Sequence, residues 1–320
     1  MSAPRSGGAM PPEQACGPFV QRLVAEQGQR LHAQKAGVLA GKDAEAVHDA
    51  RVASRRMRSA LYFFAPWLPK QPTTRVRKRV RTAASILGAV RDLDVSLIFV
   101  RTWAPTLAPA AEKPLVQHLR GQRQAARASL LAFYEQDGYA RLRQALAEFA
   151  AANLSATPPL AQVLPGLIRQ AGAEVALYFD TLQPAPPVEH LHALRISVKY
   201  YRYLLEFTRK RASLAIDPLV QGLTAMQDLL GDLHDADVGC HLAYSLLRQP
   251  DLAFTAAQRA ALLAYGSGLA AQRDRLVAAF LAEEAAVSPW AAWRLLPESE
   301  LLAQALALLT SDPSVSARDA

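Results

Sequence analysis

Apolar residues recur along this chain at spacings of three and four, the period of a helix with one buried face. Over residues 19–39, Val20, Leu23, Val24, Leu31 and Val38 hold that spacing and predict a first helix, which Gly28 weakens and Gly41 ends. Asp43 is placed to cap a second helix running to about Phe64, just before Pro66, with Glu45 near the positive end of its dipole. After the loop PWLPKQPTT a third helix is predicted from near Thr74 through Ile86, Leu87 and Ile98 to Trp103. The pattern breaks over residues 105–114, resumes over 115–134, and yields one more helix over 139–153. Beyond residues 155–165 come helices over 163–180, over 191–205 behind a proline-rich turn at 183–187, through the string LLGDLHDADV, and around Arg273 and Arg275. The run VSLIFV is too short and too closely flanked by helical pattern to stand as a strand. The reading is an all-α chain.

The polar positions of the second helix are also ordered. His48, Arg51, Arg55 and Arg58 follow at intervals of three, four and three, so all four share one face. That strip is about 15 Å long. Its arginines repel one another unless something anionic lies against them. In LHALRISVKYYRYLL, residues 191–205, His192, Arg195, Lys199 and Arg202 repeat the same three intervals. The strings that follow correspond too: LGAVRDLDV at 87–95 and LLGDLHDADV at 229–238 match Gly88 with Gly231, Asp92 with Asp235, Asp94 with Asp237 and Val95 with Val238. The helices are offset by 144 residues and the strings by 143, which a tandem duplication explains economically. A weaker match sets Arg273, Arg275 and residues 288–293 against Arg123, Arg127 and Tyr139.

Composition narrows the partner. The 320 residues carry a formal charge of +8 and a pI of about 9.7, which suits a polyanion. Only 16 glycines and 51% hydrophobic residues favour helix and a sizeable core. The two cysteines, Cys16 and Cys240, form no CxxC or metal pattern and fit a reducing compartment. No apolar run has the length of a signal peptide core or a membrane span, so a cytoplasmic location is expected. Residues 1–16 and 309–320 read as disordered tails, and the stretch 155–165 as the boundary between halves 17–157 and 158–308.

The duplication weighs the candidate chemistry. Arg55 is matched by Lys199 and Arg91 by His234, so the paired positions share positive charge and N–H donation, not metal ligation. This argues against a hydrolytic metal cluster of His48, His192, His234, Asp235 and Asp237, and no metal or other cofactor is called for. Asp92 and Asp235 are read as supports that pair with strip arginines, their pKa values pulled down by the cations. His48 and His192 are read as hydrogen-bond donors to phosphate. Of the run Arg75, Arg77, Lys78, Arg79 and Arg81, Lys78 and Arg81 are assigned to the partner and the rest to solvent. Arg56, about 100° from Arg55, is a supporting residue. Tyr200, Tyr201 and Tyr203 are placed off the strip, in the core or at its rim.

The histidine-headed helices HDARVASRRMRSAL and HALRISVKYYRYLL, each followed by an LG…[RH]DxDV string, resemble the CHAD family, the conserved histidine α-helical domain. The resemblance spans about residues 17–305. It implies two helical-bundle repeats about an approximate two-fold axis, with a central basic groove that binds inorganic polyphosphate at polyphosphate granules. Carried over, it assigns His48, Arg51, Arg55, Arg58, His192, Arg195, Lys199 and Arg202 to the groove, with Lys78, Arg81, Arg123 and Arg127 joining them and Arg56, Arg91, Asp92, His234 and Asp235 in support. Many members carry a CYTH triphosphate-processing domain ahead of this one, but no ExExK signature of it occurs here, so binding without catalysis is expected. The second half also has Val220, Gln221 and Thr224 where the first has Arg77, Lys78 and Arg81. Rival readings are a metal-dependent polyphosphate or triphosphate phosphohydrolase and a nucleic-acid-binding helical protein. The latter is disfavoured because base-stacking aromatics are not interleaved with the cations.

Overall fold

The computed structural model of the protein describes residues 14–103, 109–180, 182, 186–249, 252, 254–281 and 300–310. These residues are helical: α1 (Cys16–Ala33), α2 (Lys35–Ala40), α3 (Ala44–Phe63), a 3-10 turn (Ala65–Trp67), α4 (Lys70–Trp103), α5 (Pro109–Glu135), α6 (Asp137–Ala151), α7 (Leu160–Asp180), α8 (Val188–Leu247), α9 (Ala256–Leu281) and α10 (Glu300–Thr310). Among the described residues no strand forms; one antiparallel bridge joins Ala15 to Pro159. There the Cys16 N–H donates to the Pro158 carbonyl at 2.9 Å and the Leu160 N–H to the Gln14 carbonyl at 2.8 Å, tying the start of α1 to the segment before α7. Both cysteines are buried and free. No described helix is long and apolar enough to cross a membrane.

Helix α3 forms where the sequence placed it. Asp43 is extended, with φ −122°, and its side chain accepts the Glu45 N–H at 2.8 Å. Ala46, Val47, Ala50, Ala53, Met57, Ala60 and Leu61 make its buried face, their small side chains letting α1 and α4 approach closely. Four boundaries differ from the sequence reading. The first predicted helix is two, because the chain breaks at Gln34 and α2 leans on α3 so closely that a Cβ on Gly37 would stand 2.7 Å from that of Ala46. Helix α4 starts at Lys70 rather than Thr74, since Pro72 in the first turn forfeits no intrahelical bond. Helix α5 starts at Pro109, earlier than Leu115, and takes Pro114 inside it. Helix α7 likewise begins at Leu160 and takes Pro165 inside it. The expected features at residues 1–13, 183–185, 288–293 and 311–320 lie outside the described residues.

The larger difference is α8. A 3-10 turn separates α3 from α4, whereas α8 extends from Val188 to Leu247 with Pro218 inside it. Pro66 and Pro69 interrupt the connection from α3 to α4, while α8 takes in Pro218. Yet α8 folds back on itself. The rings of His192 and His234 stand 5.0 Å apart and Arg202 Nε reaches Gln227 Oε1 at 3.1 Å, where a straight helix would separate those pairs by about 60 Å and about 40 Å. It is a hairpin of two arms.

The main core draws on α1, α3, α4, the end of α5, α6, α7, both arms of α8, and α10, with Met57, Leu61, Phe64, Leu87, Leu142, Phe149, Leu204, Leu223 and Met226 fully buried. A second cluster joins the far ends of α4 and α8 to the start of α5 and to α9 through Leu97, Val100, Leu115, Leu119, Ala243, Leu246, Leu262 and Leu269. Each such leucine stabilises the fold by about 1.5–3 kcal/mol through burial. Between the two clusters run the polar faces of α3, α4 and α8.

Candidate functional site

The 3-4-3 spacing of α3 holds its four cationic or imidazole side chains on the face turned toward α8, and the same spacing in the first arm of α8 turns its own four back toward α3. Their meeting point is Lys199. This ammonium is largely withdrawn from water, and the charges that act on it are all positive: Arg55, Arg195, Arg51 and Arg58. Burial first, and then those four guanidiniums, push its pKa down to about 7. Arg55 is lowered as well, by burial above all, with Tyr203 opposing and Arg51 and Arg202 reinforcing the shift. Arg195 is lowered by burial, against Asp235, with Arg51 adding to the shift and Asp92 opposing it. The Nε atoms of Arg55 and Arg195 are buried without a hydrogen-bond acceptor. Five cations therefore converge from two helices, two of them with a buried Nε that has no acceptor.

Carboxylates set the margins of the cluster. Arg51 Nη1 donates to Asp92 Oδ1 of α4 at 2.5 Å, and Asp92 remains 67% exposed, so this pair is open to exchange for another anion. Arg202 is held more firmly, with Nη1 on Glu206 at 2.5 Å and Nε on Gln227. Arg56 reaches across from α3 to the same Glu206. The guanidiniums of Arg55, Arg56 and Arg202 lie 5.6, 5.7 and 5.0 Å from the centre of the buried Tyr203 ring. Tyr201 and Tyr203 are core and Tyr200 packs at the rim, as expected, with the Tyr203 ring beneath the guanidiniums. Glu206 stands four residues after Arg202, a helical pairing the sequence contains and its reading missed. Gln227 left no signal.

The imidazoles of His48, His192 and His234 are harder to protonate than usual. His234 is pushed down to about 4, mainly by burial, then by Arg195 and His192, with Asp237 and Asp92 opposing. His192 is lowered by burial, Arg195 and Lys199, and His48 by burial and Arg91. The positions of Arg91 and His234 were expected to share positive charge; His234 supplies N–H donation alone. Asp235 corrects a second expectation, because its pKa is raised rather than lowered, burial outweighing the pull of Arg195. Arg91 lies 3.9 Å from Glu45, beyond hydrogen-bond reach, and its Nη1 is buried without an acceptor. Among the described residues no group of three or more His, Cys, Asp or Glu side chains is placed to hold a metal ion.

Two arginines of the expected site are engaged by other groups. Arg127 donates to the Val38 and Leu39 carbonyls at 3.1 and 2.8 Å, closing the C-terminal end of α2, and its guanidinium fills the space beside Gly41. Arg123 is bound to Asp94 through Nε. Both arginines act as structural ties, held by carbonyls or by a buried carboxylate. Lys78 and Arg81 stand exposed on α4, where no ion pair or hydrogen bond among the described residues joins their side chains to the cluster. Arg273 of α9 binds Asp237 at 3.1 Å, as Arg123 of α5 binds Asp94.

The sequence pattern of the CHAD domain matches residues 22–244. The crystal structure of the CHAD domain from the plant Ricinus communis has a similar fold, with a TM-score of 0.68 at 24% identity, over 87% of this chain and 96% of that one. PptA from Streptomyces chartreusis is also similar in fold, with a TM-score of 0.63 at 18% identity, over 89% of this chain and all of the other. No curated protein sequence matches the chain. The chain belongs to the CHAD domain family, and its fold is that of a CHAD domain.

Proposed function

We propose that this CHAD domain binds inorganic polyphosphate, without turning it over, in the basic cleft between α3 and the first arm of α8. The observation that carries this reading is Lys199, a largely buried ammonium on which the guanidiniums of Arg55, Arg195, Arg51 and Arg58 act together. Such a cluster costs stability in the free protein, and only a ligand of high negative charge density offsets it. A linear phosphate chain suits it because the repeat needs no readout, only oxygens at short intervals. Arginine forks take those oxygens two at a time and Lys199 adds a point charge.

The two halves read as tandem repeats about an approximate two-fold axis. In support, Arg51 with Asp92 and Arg123 with Asp94 in the first half are answered by Arg195 beside Asp235 and Arg273 with Asp237 in the second. Each half then contributes one strip to a single trench, and affinity grows with chain length until the trench is full. The proposal extends to residence at cytoplasmic polyphosphate granules. The test is a competition between long-chain polyphosphate, single-stranded RNA and triphosphate at physiological salt, with phosphate release followed in magnesium or manganese. Preferential binding of long-chain polyphosphate with no release supports the reading. Preference for RNA overturns it, and release abolished by changing Asp92, Asp235 or His234 replaces it with a phosphohydrolase.

A further inference from the structure

The strip on α3 does not stop at Arg58. Tyr62 continues it by one more interval of four and so lies on the same face as His48, Arg51, Arg55 and Arg58. Although large and aromatic, Tyr62 is 54% exposed. Its ring is not loose. It sits 5.6 Å from Tyr200 of α8 and 5.4 Å from Phe63, and Phe63 in turn meets Tyr200 edge-on at 6.2 Å. Lys199 Nζ stands 5.9 Å from the centre of the Tyr200 ring, so the braced rings directly adjoin the centre of the cation cluster. Braced aromatic rings with an exposed face, one helical turn (about 6 Å) past the last arginine of an anion-binding strip, form a second kind of subsite. Phosphate gains nothing from a tyrosine face; a planar ring does.

We propose that the end of the cleft at Tyr62 and Tyr200 is a stacking subsite for the base of a nucleoside 5′-polyphosphate, whose phosphates occupy the Arg58–Lys199–Arg55 region. One ribose spans the turn between Arg58 and Tyr62. This is distinct from nucleic-acid binding, since one base is taken at one end and the rest of the cleft is cationic. The inference rests on the cleft being the phosphate site.

The experiment measures the affinity of the full chain for adenosine 5′-tetraphosphate, inorganic tetraphosphate and long-chain polyphosphate at physiological salt, in the wild type, Tyr62→Ala and Tyr62→Phe. The wild type is expected to prefer the adenosine compound over inorganic tetraphosphate by roughly tenfold, the order that one stacked base supplies. Tyr62→Ala is expected to abolish that preference while long-chain binding stays within about twofold, and Tyr62→Phe to keep it. Tyr62 is half-exposed, so the thermal midpoint should hold in Tyr62→Phe and fall by only a few degrees in Tyr62→Ala, which loses the contacts with Phe63 and Tyr200. The inference is overturned if the adenosine compound binds no tighter than inorganic tetraphosphate, if neither tetraphosphate binds, or if Tyr62→Ala retains the preference. Long-chain polyphosphate reports separately on the cleft: its failure to bind the wild type removes the polyphosphate reading, whatever the tetraphosphates do.

Discussion

The rings of His192 and His234 face each other at 5.0 Å, tilted by 41°, across the two arms of α8. The contact exists only because the helix folds back, and it brings Arg195 against both imidazoles. Neither ring gains from protonation there.

The acid side of the stability profile follows from this pair. Both folded-state pKa values lie below the ordinary 6.5, that of His234 at about 4. Unfolded chains therefore bind more protons as the pH falls through this window, and stability present above about 6.5 is lost progressively toward about 4. Urea titrations at pH 7.5 and pH 5 should show the midpoint falling, and His234→Gln should flatten the fall. An unchanged slope in that variant would show that the imidazole is not the group that titrates.

Lys199 sets the alkaline side of binding. In the free protein its pKa is held at about 7 against an ordinary 10.5, so the group favours folding fully only above about 10.5 and that advantage is lost as pH falls through 7. A phosphate chain beside the amine pulls the pKa back up, so binding takes up a proton across the window between the two values. Affinity should drop as pH rises above 7, by up to about tenfold per pH unit. Lys199→Arg, which copies Arg55 of the first half, should remove most of that dependence. Affinities of both proteins at pH 6.5, 8 and 9 decide it.

Arg51 and Arg195 are both in the field of Lys199 and of each other. A charge-assisted hydrogen bond to phosphate contributes about 1.5–3 kcal/mol, so either change to alanine should weaken long-chain binding by about one to two orders of magnitude. The double change should cost at least the sum for long chains. With four to six cations neutralised, the log–log salt slope should lie at about −3 to −5. A slope near zero, or unchanged affinity with a collapsed thermal midpoint, would make these arginines structural partners of Asp92 and Asp235 instead.

Arg127 should behave in the opposite way. Arg127→Ala loses two bonds to the end of α2 and should destabilise the fold by about 1–3 kcal/mol while leaving polyphosphate affinity within about twofold. Gly41→Ala should be destabilising too, because φ is +64° and the new Cβ would meet the Arg127 guanidinium at 2.1 Å. A large loss of affinity in Arg127→Ala with an unchanged midpoint would return this arginine to the binding surface.

Much of this protein is local, and local features can be read from a sequence. Helical period, the Asp43 cap and the 3-4-3 spacing of both strips depend on residues within a few positions of each other, so α3 and the face of its cations were legible before any coordinates. The recurrence of the strips carried the family resemblance, and residues 22–244 bear it out. What the sequence could not determine was competition between distant groups. Arg123 and Arg127 are cationic and well spaced, yet Asp94 and the end of α2 claim them; Asp235 lies beside Arg195, yet its burial raises the pKa that a nearby cation should lower. The fold-back of α8, which places Gln227 on Arg202 and His234 on His192, joins residues that local periodicity sets dozens of ångströms apart. Charge and spacing are written along the chain, but dielectric and partner choice are properties of the packed volume. Only the tertiary structure decided which arginines were claimed by carboxylates and carbonyls.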